Sequence, residues 1–303
     1  MNIKKMNLIF KRLAITLLIA ATVFSSIQAQ QKRSGNEKPL RFEHLATNVP
    51  EPVKTADWYK DNLGMKIMRP GTPPTFTTFI ADPGENMMFE FYHNEDAAAF
   101  NPAQYNNLSL HIAFLVSDIN KIKASLIEAG ATVADDLRKT DSGDQVLTLR
   151  DPWGLPIQFV ERVKPMLNLD GTDVRFEHIA VNVKDAREVA KWYQDNMGMV
   201  LMQESGAPNY GRFIANAGKN MMLELYQNDK APFINFYDID FLSLHLASMS
   251  SDMEATKNKL VKAGATVVQD INKSPAGDLI LVLRDPWGFP LQFVQRVNLM
   301  LKN

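Results

Sequence analysis

The chain repeats itself at one fixed distance. Arg41-Phe42-Glu43-His44 returns as Arg175-Phe176-Glu177-His178, Trp58-Tyr59 as Trp192-Tyr193, and Asn86-Met87-Met88 as Asn220-Met221-Met222, each 134 positions further on. Asp151-Pro152-Trp153-Gly154 does the same at Asp285 to Gly288. An offset that never drifts means that one fold is present twice without insertion or deletion. The copies run over residues 41–163 and 175–301, with 164–174 as the linker.

Within a copy the apolar period changes in a fixed order. Phe42 to Val49 reads as a strand and Pro52 to Leu63 as a helix that turns Ala56 and Tyr59 inward and stops at Gly64. Strands follow near Met65 to Met68, Thr75 to Ala81 and Met87 to Tyr92. The order then recurs, with a strand at Leu108 to Val116, a helix from its cap at Asp118 to Gly130, and strands near Thr132, Val146 to Arg150 and Pro156 to Val160. The fold class is therefore α+β, with four βαβββ modules in the chain.

Residues 1–29 differ in kind. Lys4, Lys5, Lys11 and Arg12 precede an apolar run from Leu13 to Phe24, and a small residue stands at Ala29. This pattern is that of a signal peptide cut near Ala29, which implies a periplasmic or secreted protein. The run is shorter than the roughly 20 apolar residues a membrane span needs, so no stable membrane anchor is expected. The chain has no cysteine, which excludes disulfides and lipid attachment at a cleavage-site cysteine. Loss of the four basic leader residues takes the formal charge from −1 to −5, and no basic face calls for nucleic acid. A monomer or homodimer with a small-molecule substrate is expected.

With these marks the sequence resembles the vicinal oxygen chelate superfamily, which includes glyoxalase I, bleomycin resistance proteins and extradiol dioxygenases. The resemblance rests on the module order, a His on each module's first strand, and Asp-Pro-Trp-Gly followed four residues later by a ligand-type side chain. It implies two glyoxalase-like domains, each a curved eight-stranded mixed sheet with flanking helices, and a divalent metal held by the first, fourth, fifth and eighth strands. Those positions are His44, Glu90, His111 and Gln158 in the first copy and His178, Glu224, His245 and Gln292 in the second. Gln158 and Gln292 depart from the glutamate usual in the enzymes, leaving one carboxylate per site.

Side-chain alternation agrees with this set. Phe42, His44, Ala46 and Asn48 would share one face of the first strand, with Leu45 and Val49 on the other. Glu90, His111 and Gln158 likewise oppose their apolar neighbours. Asn48, Tyr92, Ser109, Asn182, Tyr226 and Ser243 fall on the site face as substrate contacts. Trp58 and Trp192 read as packing residues, and Arg150 and Arg284 as braces of a turn. Met88 and Met222 fit either core or cavity wall.

Two imidazoles, a carboxylate and an amide oxygen suit Zn, Ni, Co, Mn or Fe(II), with no organic cofactor. The resemblance implies a metal-dependent lyase or isomerase that stabilises an enediolate, with Glu90 and Glu224 as the proton-transfer groups. Two other functions stay open: a non-heme Fe(II) dioxygenase of extradiol type, and a metal-free sequestering protein. Export argues against a glutathione adduct as substrate. Because each copy holds a complete ligand set, each site is expected to form within one copy, with His44 beside His111.

Overall fold

The computed structural model describes residues 39–168 and 173–302, so the expected signal peptide lies outside the described residues. The first module comprises strands β1 (Arg41–Asn48), β2 (Lys66–Arg69), β3 (Thr78–Ala81) and β4 (Met88–Tyr92), with helix α1 (Pro52–Leu63) after β1. The second holds β5 (Leu110–Val116), α2 (Ile119–Glu128), β6 (Thr132–Lys139), β7 (Gln145–Arg150) and β8 (Pro156–Glu161). The third holds β9 (Val174–Asn182), α3 (Ala186–Met197), β10 (Val200–Glu204), β11 (Arg212–Ala215) and β12 (Met222–Tyr226). The fourth holds β13 (Leu244–Met249), α4 (Met253–Lys262), β14 (Thr266–Lys273), β15 (Leu279–Arg284) and β16 (Pro290–Gln295).

Helix ends follow local chemistry. Pro52 starts α1, where its missing N–H costs nothing, and Gly64 ends it in the left-handed region at φ 66°, which only glycine enters freely. Asp118, Asp185 and Asp252 cap the other three by accepting from first-turn amides. Among the described residues no helix is long and apolar enough to cross a membrane.

The sheets are exchanged between the copies, which corrects the expected pairing. One sheet runs β14-β15-β16-β13-β1-β4-β3-β2 and the other β10-β11-β12-β9-β5-β8-β7-β6. The first module thus shares a sheet with the fourth through antiparallel β1 and β13, and the third with the second through β9 and β5. Modules of one copy instead meet back to back. Tyr59 on α1 donates to Asp151 at 2.9 Å, the Trp58 indole donates to the Ala129 carbonyl at 2.9 Å, and the Trp58 and Trp153 rings lie 6.2 Å apart. Phe89 of one sheet packs on Phe114 and Phe176 of the other, so both apolar backs share one core.

Alternation fails at β-bulges, one of which lies beside the ligands. On β1 the register jumps between Phe42, opposite Ser248, and His44, opposite Ala247, so Glu43 is the extra residue of a β-bulge. Glu177 occupies the same position on β9, opposite β5. Phe42 therefore turns into the core with Leu45 rather than sharing the face of His44. The 75–77 segment, expected as strand, is not part of β3; Phe76 takes φ 50° in a turn there.

Each Asp-Pro-Trp-Gly aspartate is a structural group. Asp151 accepts from the amides of Trp153 and Leu155 and from Tyr59, and burial raises its pKa to about 6; Asp285 repeats this with Trp287, Phe289 and Tyr193. Arg150 and Arg284 brace the same turns by donating to the carbonyls of Gly154 and Gly288 at 2.7 Å. Because the folded pKa lies above the ordinary 3.8, the folded state holds extra protons between about pH 4 and 6. Stability therefore falls as pH rises through that window, by on the order of 2–3 kcal/mol per carboxyl. In Asp151→Asn with Asp285→Asn, the tyrosine hydroxyls can accept instead of donate. The variant's urea midpoint, relative to the parent's, is expected to rise from pH 4 to pH 7; parallel profiles would refute the assignment.

Candidate metal centres

Exchange places four ligand-bearing strands side by side in each sheet, in the order β4, β1, β13, β16 and β12, β9, β5, β8. Across the first group, Glu90 and His245 are both register partners of Ala46, and Ala247 is partner to both His44 and Gln292. Strands lie about 4.8 Å apart, so alternating ligands with alanine lets three large side chains lean toward one point. The second group repeats the pattern with Glu224, Ala180 and His111 in one row and His178, Ala113 and Gln158 in the next.

The donor atoms converge accordingly. His44 Nε2 lies 2.9 Å and His245 Nε2 3.9 Å from Glu90 Oε2; in the other site His178 Nε2 lies 3.1 Å and His111 Nε2 3.8 Å from Glu224 Oε2. Each trio's donor atoms fall within 4.8 Å of one another. The His44 ring is 5.8 Å from that of His245, and His111 is 5.7 Å from His178. The expected His44–His111 pair is thus replaced by His44 with His245, and by His111 with His178, while the ligand types stay as expected. Gln158 lines the same cavity as His111, His178 and Glu224, its amide nitrogen 3.5 Å from Thr148 Oγ1.

Each imidazole is fixed through its other nitrogen. His44 Nδ1 donates to Glu43 at 2.8 Å and His178 Nδ1 to Glu177 at 2.9 Å, while His245 and His111 donate to the carbonyls of Phe241 and Asn107. All four Nε2 atoms are buried and none makes a well-formed hydrogen bond, although each lies 2.9 to 3.9 Å from a glutamate oxygen. A buried polar atom left so is costly, and a metal satisfies it. Burial pushes His245 and His111 down to about 4, which keeps them neutral with a lone pair to offer. Burial also opposes the charged form of His44 and His178, but Glu90 with Glu43, and Glu177 with Glu224, outweigh it and raise both. The residues present therefore fit a divalent cation.

Sequence reasoning missed the layer behind the ligands. Glu43 receives Arg296 at 2.9 and 2.7 Å, and Arg296 also donates to Asp278 at 2.9 Å. Glu177, Arg162 and Asp144 repeat this at 2.6, 2.7 and 3.0 Å. Burial would raise Glu43 and Glu177, but the histidine and arginine partners hold both near 2. The available signal was that Glu43, Asp144 and Arg162 each recur in the second copy on strands otherwise apolar or at their ends.

The polar groups of the six expected substrate contacts bond to backbone carbonyls, and Tyr226 also lines the cavity of the second site. Asn48 donates to the carbonyls of Asn94 and Ala97, Asn182 to those of Asn228 and Ala231, and Ser109 and Ser243 to those of Pro232 and Ala98. The Tyr92 and Tyr226 hydroxyls donate to Leu242 and Leu108. The serines and tyrosines tie loops together across the two copies, and the asparagines hold a loop of their own copy. Met88 and Met222 are fully buried, Met88 against Phe79 and Leu301 and Met222 against Ala215 and Leu167. The second site opens into a cavity of about 530 Å³ lined by Arg138, Asp141, Gln203, Glu204 and Phe213.

Comparison with known proteins agrees with this architecture. The sequence profile of the Glyoxalase/Bleomycin resistance protein/Dioxygenase superfamily matches residues 41–159 and again 175–293. A lactoylglutathione lyase of Arabidopsis thaliana is 22% identical over 274 residues, 86% of this chain and 93% of that protein. The glyoxalase I structure from Zea mays superposes with a TM-score of 0.69 at 17% identity, over 86% of this chain and 94% of that one. A putative dioxygenase structure from Bacillus subtilis gives 0.62 at 14% identity, over 87% of each.

Exchange makes the metal stoichiometry diagnostic. In protein purified without chelators, His44→Ala with His245→Ala is expected to keep about half the parent's metal, since both changes fall in one site. His44→Ala with His111→Ala strikes both sites and is expected to lose nearly all of it. The reverse pattern in elemental analysis would restore the pairing within each copy.

Proposed function

Since the chain belongs to the Glyoxalase/Bleomycin resistance protein/Dioxygenase superfamily, we propose that it is a divalent-metal-dependent lyase or isomerase acting on a small substrate with two neighbouring oxygens. The observation that supports this reading most is the pair of buried imidazole Nε2 atoms per site, neither in a well-formed hydrogen bond and both directed at one carboxylate. When bound, the metal supplies a Lewis acid that takes up charge developing on a substrate oxygen.

This chain's own residues would do the rest. His44 with His245, and His178 with His111, hold fixed orientations through their Nδ1 bonds. Glu90 and Glu224 keep 15% and 22% of their side chains exposed, so each carboxylate can reach a substrate that enters from the open face. Burial acts to raise their pKa, but His44 and His178 outweigh it and the net shift is down, which keeps each ionised and able to accept a proton from a substrate carbon. Gln292 and Gln158 accept or donate hydrogen bonds but cannot take the proton. The likeness to a lactoylglutathione lyase supports lyase chemistry. The basic and apolar run at residues 4–24 supports export, and with it a substrate other than an adduct of intracellular glutathione.

Two histidines and one glutamate per site also match the facial set of non-heme iron oxygenases, which keeps dioxygenase chemistry as the second reading. Dihydroxyacetone in D2O serves as a probe. The metal-loaded parent is expected to speed deuterium entry beside the carbonyl, and Glu90→Gln with Glu224→Gln to slow it by about 100-fold. Unchanged exchange in that variant would remove the proposed base. Iron in the purified protein with oxygen uptake on catechol would favour the dioxygenase. A mature N-terminus at Gln30, read by mass spectrometry, is the outcome expected for export.

A further inference from the structure

The two sites have the same ligands but different walls. On the sheet of the first and fourth modules, Arg69 is the register partner of Phe79, which is the partner of Glu90. Directly opposed residues project on one face, so Arg69 stands on the face of the ligands, two strands beyond Glu90. Its guanidinium lies 4.2 Å over the Phe79 ring, and that ring is 5.3 Å from His44. Burial lowers the Arg69 pKa, and Glu90, Arg296, Asp278 and Glu43 are the charges that act on it, which places it within the field of the site. Among the described residues its side chain has no hydrogen bond or ion pair. In the other site the equivalent residue is Gln203, a lining residue of the cavity.

Other wall positions change in the same direction. Glu204 and Asp141 line the second site, whereas their counterparts in the first are Pro70 and Pro275; Arg138 has Asn272. The second site therefore carries four carboxylates, of which Glu204 pairs with Arg212 at 3.2 Å, against Arg138 and Arg162, and the equivalent positions of the first, where Thr78 stands for Arg212, carry Asp278 and Glu90 against Arg69 and Arg296. The first site is electrostatically about one charge more favourable to an anion before any metal is counted.

We propose that the two centres differ in substrate charge: the site of His44, Glu90 and His245 takes an oxygen-chelating substrate that carries a carboxylate, received by Arg69, and the site of His111, His178 and Glu224 takes an uncharged one. This rests on the metal-site reading. Stacked on Phe79, the planar guanidinium is held with its donor edge free for a two-pronged bond to a carboxylate. The anion would sit a few bonds from the chelating oxygens, because Arg69 belongs to a strand two removed from Glu90.

The test uses proteins with one centre silenced, by His111→Ala with His178→Ala or by His44→Ala with His245→Ala, loaded with Co(II). The probes are acetohydroxamic acid and succinic monohydroxamic acid, which chelate alike and differ in a carboxylate tail. The first centre is expected to favour the tailed probe, relative to the second, by about tenfold. Arg69→Gln should erase that preference and Gln203→Arg should confer it on the second centre. An unchanged probe ratio in Arg69→Gln overturns the proposal. Co(II) content of the same samples separates the two readings. A parent that takes up no Co(II) sinks the metal reading, and the anion assignment is then decided on metal-free protein with succinate against succinamide, where loss of the preference in Arg69→Gln supports it and an unchanged ratio overturns it.

Discussion

Glu43 holds His44 on one side and the Arg296 guanidinium on the other, and those two partners come from opposite copies. A buried ion pair seldom adds much stability, since desolvation of both charges offsets most of their attraction. Here its value is positional. The bulge that makes Glu43 an extra residue turns its carboxylate to the side chain of its own neighbour, and Arg296, anchored by Asp278, fixes that carboxylate in turn. His44 is left with one free nitrogen pointing at Glu90. Glu177, Arg162 and Asp144 set His178 in the same way.

Charge within each cluster suits a cation. Glu43, Asp278 and Glu90 against Arg296 leave the first cluster two negative charges in excess when the histidines are neutral, and Glu177, Asp144, Glu224 and Arg162 leave the second the same. Without a counter-ion the first-strand histidines must carry part of the balance, which is the direction in which His44 and His178 shift. A divalent ion supplies the same charge while freeing both rings to be neutral donors.

Much of this was legible before any coordinates. The period of the apolar residues places α1 at Pro52–Leu63, and the repeat singles out the histidines and glutamates of both sites. The exchange was not legible, and the reason is symmetry. With identical residues 134 positions apart, Glu43 finds the same arginine in either copy, so ligand completeness within a copy says nothing about which sheet a ligand joins. The bulge was hidden for a different reason: in the sequence Phe42, His44 and Ala46 alternate without a break, and only the partner strand shows the register jump that puts Phe42 and His44 on opposite faces. The six polar residues on the site face lie on or beside its strands, but the sequence gives no hint that loop carbonyls take up their hydrogen bonds.

Covalent duplication combined with exchange has a consequence for divergence. In a symmetric homodimer built from one such copy, every change in the gene would appear in both sites, so a wall could not gain an arginine in one and keep a glutamine in the other. In this chain each site draws one module from each copy, and the two sites share no ligand. Arg69 and Gln203 can therefore differ while Glu43 with Arg296, and Glu177 with Arg162, preserve the same histidine geometry on both sheets. What the sites do share is the apolar core behind them, where Phe89 meets Phe176, and the contact of Asp82 with the Phe176 amide, 3.1 Å long. Selection can then alter the two walls independently, but any change that separates the sheets unsettles both sites at once.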